Sequence, residues 1–315
     1  MISHDVIIVG GGAAGMFAAA VCAEIAPSLR ILVLEKQERL LKKVRISGGG
    51  RCNLTHECTD IRSFVQNYPR GGSELMGPFH RFGPETTMQW FEDHGVALTT
   101  LEDGCVFPLS DSSETVIRAL QRTAQTGNVE VQTRTSVANI RRIQSGGAEK
   151  PWTGFALTLE DGSERVCRRL LVATGGGALL DGLDHTIEPC VPSLFTCKTS
   201  DSSLTALAGI VVEDVKVTAP GLKAEGALLI THGGVSGPAI LRLSSFGARS
   251  LATQNYRFEL KINWVPSQNE QDVFDALESF RRRSPRKQIG TWSPVGLCAR
   301  LWKLLVARAD VDESR

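Results

Sequence analysis

The sequence predicts an α/β protein: a Rossmann-like dinucleotide-binding domain over residues 1–188, a β-rich insert over 189–265 and a small helical subdomain over 266–315. Three observations predict it. A strand–glycine–helix–strand unit occupies residues 5–36. A second strand runs into glycines at 168–177. From residue 190 onward, strand patterns give way to two amphipathic helical stretches.

The first unit begins with "DVIIV" (5–9), a continuous β-branched run that suits a parallel strand buried on both faces. "GGGAAG" follows and fits G-x-G-x-x-G through Gly10, Gly12 and Gly15. "MFAAAVCAEIA" reads as a helix up to Pro27, and "RILVLEK" (30–36) as a second buried strand closed by Glu35. Each part has a physical task. Gly10 permits the tight turn, Gly12 lets the backbone approach a pyrophosphate, and Gly15 lets helix pack on strand, with phosphates at the positive helix N-terminus. Glu35 lies where a carboxylate accepts hydrogen bonds from a ribose diol, and it would repel a 2′-phosphate. The unit by itself does not separate FAD from NAD.

Bulk properties narrow the class. The 315 residues are 42% hydrophobic and 22% charged, with a formal net charge of +1. That near-neutral balance speaks against nucleic acid or an anionic membrane as partner. The basic clusters Lys42, Lys43, Arg45 and Arg281, Arg282, Arg283, Arg286, Lys287 read as solvated surface. Eight scattered cysteines without a C-x-x-C point to reduced thiols in a cytoplasmic protein. Cys52, His56 and Cys58 lie close together, but no second ligand pair accompanies them, so no metal is expected. No segment is apolar for the length of a membrane span. "MFAAAVCA" imitates a signal-peptide core, but Asp5 and glycines 10–12 stand where a basic n-region would be.

A basic segment follows the second strand and leads into "RISGGGRCNLTH" (45–56). Consecutive glycines present several N–H groups to one anion, and Arg51 adds a fork of donors suited to phosphate. An anion cradle over Ser47, Gly48, Gly49, Gly50, Arg51, Cys52 and Asn53 is favoured over a bare loop, since a linker would lack Arg-Cys-Asn.

Further on, "NVEVQTRTSVANIRRI" and "GFALTLEDGSERV" predict a β-meander over 129–167 with an Asp-Gly turn at 161–162. "RRLLVATGGG" (168–177) then repeats the strand-to-glycine transition. A βαβ unit, a meander and a buried strand ending in Ala-Thr-Gly resemble the two-dinucleotide flavoprotein pattern, in which Ala173, Thr174 and Gly175 pass beneath FAD.

"ISGGGRCNLTH" (46–56), "VATGG" (172–176), "HTIEPCVPSLF" (185–195) and "THGGVSGPAILRLSSFGAR" (231–249) make the likeness specific. Over nearly its whole length the chain resembles the NAD(P)/FAD-dependent oxidoreductase family that includes aminoacetone-oxidase-like and bile-acid dehydro-reductase-like flavoproteins. The resemblance implies FAD, with Gly10, Gly12, Gly15 and Glu35 on its ADP half and Ser47–Asn53 along the pyrophosphate and flavin. It adds Ala13, Ala14, Lys36, Val137, Ala173, Thr174, Gly175 and Gly176 to the cofactor-binding set. It also implies a longer connection where only "GALLDGLD" joins Gly176 to His185, and a final segment that closes over the ribityl chain and flavin. If the chain truly lacks these, its site is open on one side and it is expected to bind FAD weakly or not at all.

In the second half, "IVVEDVKVTA", "GALLITH" and "YRFELKINW" predict strands, and "VSGPAILRLSSFGARSL" a helix with Ser236 as N-cap and Pro238 in its first turn. Ile240, Leu241, Leu243, Phe246 and Leu251 would form its buried stripe. His232, just before it, reads first as a turn histidine making one structural hydrogen bond. The functional alternative is a general acid or substrate clamp facing the flavin. "EQDVFDALESFRRRS" and "PVGLCARLWKLLVARA" predict two helices.

The functional expectation is an FAD-dependent oxidoreductase. A reduced pyridine nucleotide, NAD(P)H, would reduce the flavin, and a small organic substrate or oxygen would reoxidise it. The alternative is a nucleotide-binding flavin-fold module without turnover. An RNA-modifying flavoenzyme is disfavoured by the near-neutral charge. Neither the substrate nor the oligomeric state is legible.

Overall fold

The computed structural model describes residues 2–145, 152–176, 179–180 and 183–311. The chain divides into two compact units, Met1–Pro189 and Cys190–Arg315.

The first unit is built on a six-stranded sheet. β1 (His4–Val9) leads through α1 (Ala13–Ile25) to β2 (Ile31–Leu34). β1 and β2 pair in parallel, Val6 opposite Ile31 through Val9 opposite Leu34. Their side chains alternate between two cores, as strand geometry requires. Ile8, Ile31 and Val33 join Met16, Ala19 and Ala20 of α1, while Ile7, Val9, Leu32 and Leu34 face a second cluster. All four β2 side chains are at most 1% exposed. Fully burying one such side chain is worth about 1.5–3 kcal/mol.

Between β2 and the next strand of this sheet lie α2 (Lys42–Ile46), β3 (Thr55–His56), α3 (Ile61–Val65), α4 (Gly72–Arg81), α5 (Pro84–Asp93), β4 (Leu98–Thr100), β5 (Cys105–Pro108) and α6 (Ser113–Ala124). β3, β5 and β4 form a small antiparallel sheet. α6 starts at Ser112, whose hydroxyl accepts the Glu114 N–H. It buries Val116, Ile117 and Leu120 in the α1 core.

The main sheet resumes with β6 (Val129–Gln132), β7 (Val137–Ser145), β8 (Trp152–Leu159) and β9 (Glu164–Val172), giving the order β6-β2-β1-β9-β8-β7. Two expectations change here. Val129–Gln132, read as opening the meander, is a parallel edge strand on β2, with Ile31 opposite Val129. The meander is β7–β8–β9, and its last strand is also the strand that ends in Ala-Thr-Gly. β9 pairs antiparallel with β8 and parallel with β1, Val9 opposite Val172. The expected turn at 161–162 joins β8 to β9, where Leu159 N–H donates to Ser163 O at 2.9 Å. Residues 177–178 and 181–182 of the connection toward His185 lie outside the described residues.

The second unit carries β10 (Cys197–Lys198), α7 (Ser202–Thr205), β11 (Val211–Ala219), β12 (Leu222–Thr231), β13 (Gly234–Ser236), α8 (Pro238–Phe246), α9 (Ala248–Thr253) and β14 (Lys261–Asn263). The strands form an antiparallel sheet in the order β10-β13-β12-β11-β14. Val215, Val217, Leu228 and Ile230 pack with Ile240 and Leu243 of α8 and with Leu251.

The single helix expected from residue 235 starts later and is broken. Val235 and Ser236 are claimed by the sheet, paired with Ile230 and Leu229. The cap is Gly237 at φ +96°, where a Cβ would lie 2.8 Å from the Ala227 carbonyl oxygen. Gly247 then separates α8 from α9, and Phe246 leaves the expected stripe to stand 44% exposed. Of residues 256–264, only Lys261–Asn263 is strand.

Last come α10 (Glu270–Arg283) and α11 (Ala299–Arg308), the latter shorter than expected. Asn269 and Asp272 form a reciprocal capping box on α10. Val273, Ala276 and Leu277 pack against Val295, Trp302 and Val306. Among the described residues, no helix is long and apolar enough to cross a membrane.

Candidate dinucleotide site

β1 delivers the chain to Gly10, whose φ of +112° turns it toward α1. A Cβ on Gly15 would sit 1.9 Å from the Gly10 carbonyl oxygen, so helix and turn meet backbone to backbone. Gly12 is the opposite case, with nothing within 4 Å of where its Cβ would be. It caps α1 without a side-chain hydrogen bond, the first turn holds no acidic residue, and Ala13 and Ala14 are exposed. The positive end of the helix is therefore open, with N–H groups available to a diphosphate.

Glu35 stands one residue past β2. Its Oε2 accepts the Gly11 N–H at 2.7 Å and its Oε1 accepts the Gln37 N–H at 2.8 Å. An ionised carboxylate offers about four acceptor positions. These two bonds fix its rotamer and leave capacity for a ribose diol. Lys36 is exposed beside it. Thr135 N–H donates to the Glu35 carbonyl at 2.9 Å, which brings the start of β7 alongside. Val137 there is 7% exposed with its side chain in the core, so its backbone is what it can offer a cofactor.

The third wall is the end of β9. Ala173 N–H donates to Val9 O at 2.7 Å, and a Cβ on Gly10 would lie 2.4 Å from the Ala173 carbonyl oxygen. The two glycine turns thus abut. The Thr174 hydroxyl donates to Gly176 O at 2.6 Å and tightens this second turn. Thr174, Gly175 and Gly176 are exposed.

The stretch Ser47–Asn53 is a tight single-turn loop and not a linker. Leu41 N–H donates to Gly11 O at 2.8 Å, setting α2 beside the first glycine turn. The Ser47 hydroxyl donates to Val44 O at 2.8 Å, and Cys52 N–H to Ser47 O at 3.0 Å. Gly48, Gly49 and Gly50 all take left-handed φ, at +55°, +71° and +91°. Side-chain-bearing residues resist three such positions in a row. A Cβ on Gly48 would also lie 2.9 Å from the Asn53 nitrogen.

Arg51 behaves differently from the phosphate fork read in the sequence. Its guanidinium lies 4.2 Å over the Phe107 ring, Nε donates to Gly48 O at 3.3 Å, and Nη1 is 3.7 Å from Asp111 Oδ1. It braces the loop. Cys52 is 6% exposed at φ +67°, and burial pushes its thiol up. Burial is also the main cause raising Cys105, which lies in reach of the exposed Asn53. The His56 ring nitrogens face the carbonyls of Glu57 and Asp103, and Cys58 donates to Asp60 O. The Cys-His-Cys grouping is thus spread over separate backbone partners.

Lys43 is a residue that sequence reasoning set aside as solvated surface. Its Nζ lies 3.8 Å from where a Gly175 Cβ would be, placing a cation at the exposed end of the β9 turn. Phe107, on β5, and Asp111, just after it, are the partners of Arg51, and no local signal marks them. His232 belongs to the second unit. It sits exposed in the two-residue hairpin between β12 and β13, with no hydrogen bond to its ring among the described residues.

The first glycine turn, Glu35, the 41–53 segment and the Ala173–Gly176 turn thus form one continuous open rim. Residues 4–187 match the HI0933-like protein Rossmann domain, and residues 191–315 match the HI0933-like protein barrel and H2TH domain. The chain belongs to the HI0933-like family. This is an FAD-binding Rossmann family of oxidoreductases, and the rim's chemistry fits the ADP half of that cofactor. The ribosomal RNA dihydrouridine synthase of Escherichia coli K12 is 30% identical across 99% of this chain and 76% of its own length. The enzyme of the same name from Haemophilus influenzae is 26% identical across 92% of this chain and 74% of its own. A 3-dehydro-bile acid delta(4,6)-reductase of Clostridium scindens is 26% identical across 88% of this chain and 68% of its own.

Proposed function

We propose that this HI0933-like protein is an FAD-dependent reductase that saturates a carbon–carbon double bond conjugated to a carbonyl, drawing its hydride from NAD(P)H. The observation that carries the reading is the open N-terminus of α1 beside the anchored carboxylate of Glu35. A diphosphate and a ribose diol need those two groups side by side. FAD, when bound and reduced by NAD(P)H, would supply a hydride to one carbon of the double bond. A proton completes the other carbon, so NAD(P)H and H⁺ are consumed and NAD(P)⁺ released. The protein's part is to hold the diphosphate on the Gly12–Gly15 turn, orient the ribose through Glu35, and place Lys43 near the Ala173–Gly176 turn. His232 is a proposed proton donor or substrate clamp. Both named activities among the relatives are reductions of this kind.

For the substrate, a uracil ring in ribosomal RNA is favoured over a small organic molecule or oxygen, because two relatives that align over most of this chain bear that activity in their names. We place the reaction in the cytoplasm, which supplies reduced pyridine nucleotide and keeps the eight thiols reduced. The test is the visible spectrum of the purified protein after FAD addition and its anaerobic bleaching by NADH or NADPH. Reoxidation is then followed with RNA or with a soluble conjugated enone. Flavin uptake with bleaching supports the reading. A protein that takes up no FAD ends it, and bound flavin that no pyridine nucleotide reduces leaves a binding module without turnover.

A further inference from the structure

The overall charge of +1 averages two unlike units. The Cys190–Arg315 unit holds sixteen Lys and Arg against twelve Asp and Glu, a net +4, and leaves the first unit at −3. Its densest basic run is Arg281, Arg282, Arg283, Arg286 and Lys287, all exposed, at and just beyond the C-terminus of α10.

Part of this run has a structural explanation. Cations in the last turn of a helix complement its negative end. Arg281 and Arg282 also share Glu278, at 3.2 and 3.8 Å. The helix end also accounts for Arg283, but neither account covers Arg286 and Lys287. Arg283, Arg286 and Lys287 make no ion pair among the described residues, and Arg286 and Lys287 lie past the helix end.

The run does not stand alone. Phe280, on the last turn of α10, stacks on Trp292 with ring centroids 4.9 Å apart and planes 26° from parallel. Trp292 is 52% exposed, so an indole surface is open to solvent. The segment between is tied down. Lys287 N–H donates to Ser284 O at 3.0 Å, the Thr291 hydroxyl to Gln288 O at 2.7 Å, and Trp302 Nε1 to Ile289 O at 2.7 Å. A fixed cationic run ending at a supported aromatic face is the pairing that grips single-stranded nucleic acid, phosphates on the cations and a base on the ring.

We infer that Arg283, Arg286, Lys287 and Trp292 form an RNA-gripping surface on the second unit. The inference rests on the RNA-directed reading above and adds the place where the nucleic acid is held. An anionic lipid surface would use the same cations and could also take the indole, so vesicle binding is the competing outcome of the test.

The test is binding of a fluorescein-labelled oligouridylate to the full chain by anisotropy across a salt series. Replacing Arg283, Arg286 and Lys287 together with Ala should lower the salt slope by about 2, at about 0.7 per phosphate contact on a single strand. Trp292→Ala should weaken binding roughly tenfold. Glu278→Gln, which frees Arg281 and Arg282, should tighten it, a gain that misfolding cannot produce. FAD uptake and NAD(P)H bleaching should be unchanged in all three variants. Equal affinity of the triple variant and the unaltered chain overturns the inference. So does binding to phosphatidylserine vesicles without binding to the oligouridylate. Failure of flavin uptake counts against the reductase reading only, because RNA binding is measured separately.

Discussion

The backbone N–H of Gly11 donates to the carboxylate of Glu35 at 2.7 Å, so the phosphate-binding turn and the acidic end of β2 are one hydrogen-bonded piece. The same carboxylate that would hold a ribose also holds the turn. Glu35→Gln keeps one amide oxygen to accept from Gly11 but loses the charge that strengthens every bond it accepts. Its dissociation constant for FAD is expected to rise about tenfold or more, since a hydrogen bond to a charged group contributes about 1.5–3 kcal/mol. Flavin fluorescence titration measures this. An unchanged constant would show that no ribose hydroxyl reaches the carboxylate.

Gly12 and Gly15, on the turn that leaves β1, should respond in opposite ways to one methyl group. In Gly15→Ala the methyl has no room beside the Gly10 carbonyl. Its thermal unfolding is expected to show a loss of about 1–3 kcal/mol or more. In Gly12→Ala the methyl points into open space. Stability should move by less than about 1 kcal/mol, while FAD affinity drops because the methyl occupies the diphosphate's approach.

Arg51 and Cys52 are neighbours with different tasks. Arg51→Ala removes the brace on Phe107 and Asp111 and is expected to weaken FAD binding more than Cys52→Ser does. Cys52→Ser puts a hydroxyl in a buried position and should act on stability, by about 1–3 kcal/mol if the hydroxyl finds no partner. Calorimetry and flavin titration of the two variants separate the effects. Equal FAD affinities would mean the loop does not touch the cofactor.

Cys167, fully buried on β9, has its thiol pushed up to about 11 by desolvation. The neutral thiol is what the fold holds. Its contribution to stability is complete below the ordinary thiol value near 9 and is lost as pH rises from there through about 11. Chemical denaturation at pH 8 and pH 10.5 should show a larger fall in the unaltered chain than in Cys167→Ala. At neutral pH the thiol should resist alkylation until the protein unfolds, whereas the exposed Cys190 and Cys298 react in the native state.

How much of this could be read from residues alone follows burial. β1 and β2 are legible because Val6–Val9 and Ile31–Leu34 are unbroken apolar runs that pack on both faces of the sheet. β6 is not, because an edge strand with Val129 and Val131 between Glu130 and Gln132 looks like the start of a hairpin. The helices α4 and α5 leave little trace. α4 buries no residue and carries Pro78 inside it. Ser236 has the chemistry of a cap but loses to its pairing with Leu229, a contact no local pattern announces. At the site, the glycine turns and Glu35 are local signals and appear where their spacing puts them. The engagement of Arg51 depends on Phe107 and Asp111, more than fifty residues away. The charge separation between the units is invisible in a single net value.

β9 has a consequence for the order in which the protein can be made. The sheet that carries the first glycine turn pairs β1 with a strand beginning at Glu164, and the turn itself rests against Ala173. At about 5–20 residues per second of synthesis, the nascent chain waits roughly 10–30 s between exposing residue 9 and supplying its partner. During that interval β1 shows one hydrogen-bonding edge and a row of isoleucines and valines without cover. Flavin capture is therefore a late event on the ribosome, and a chain stalled before residue 164 is a substrate for chaperones and proteases before it is a cofactor-binding protein.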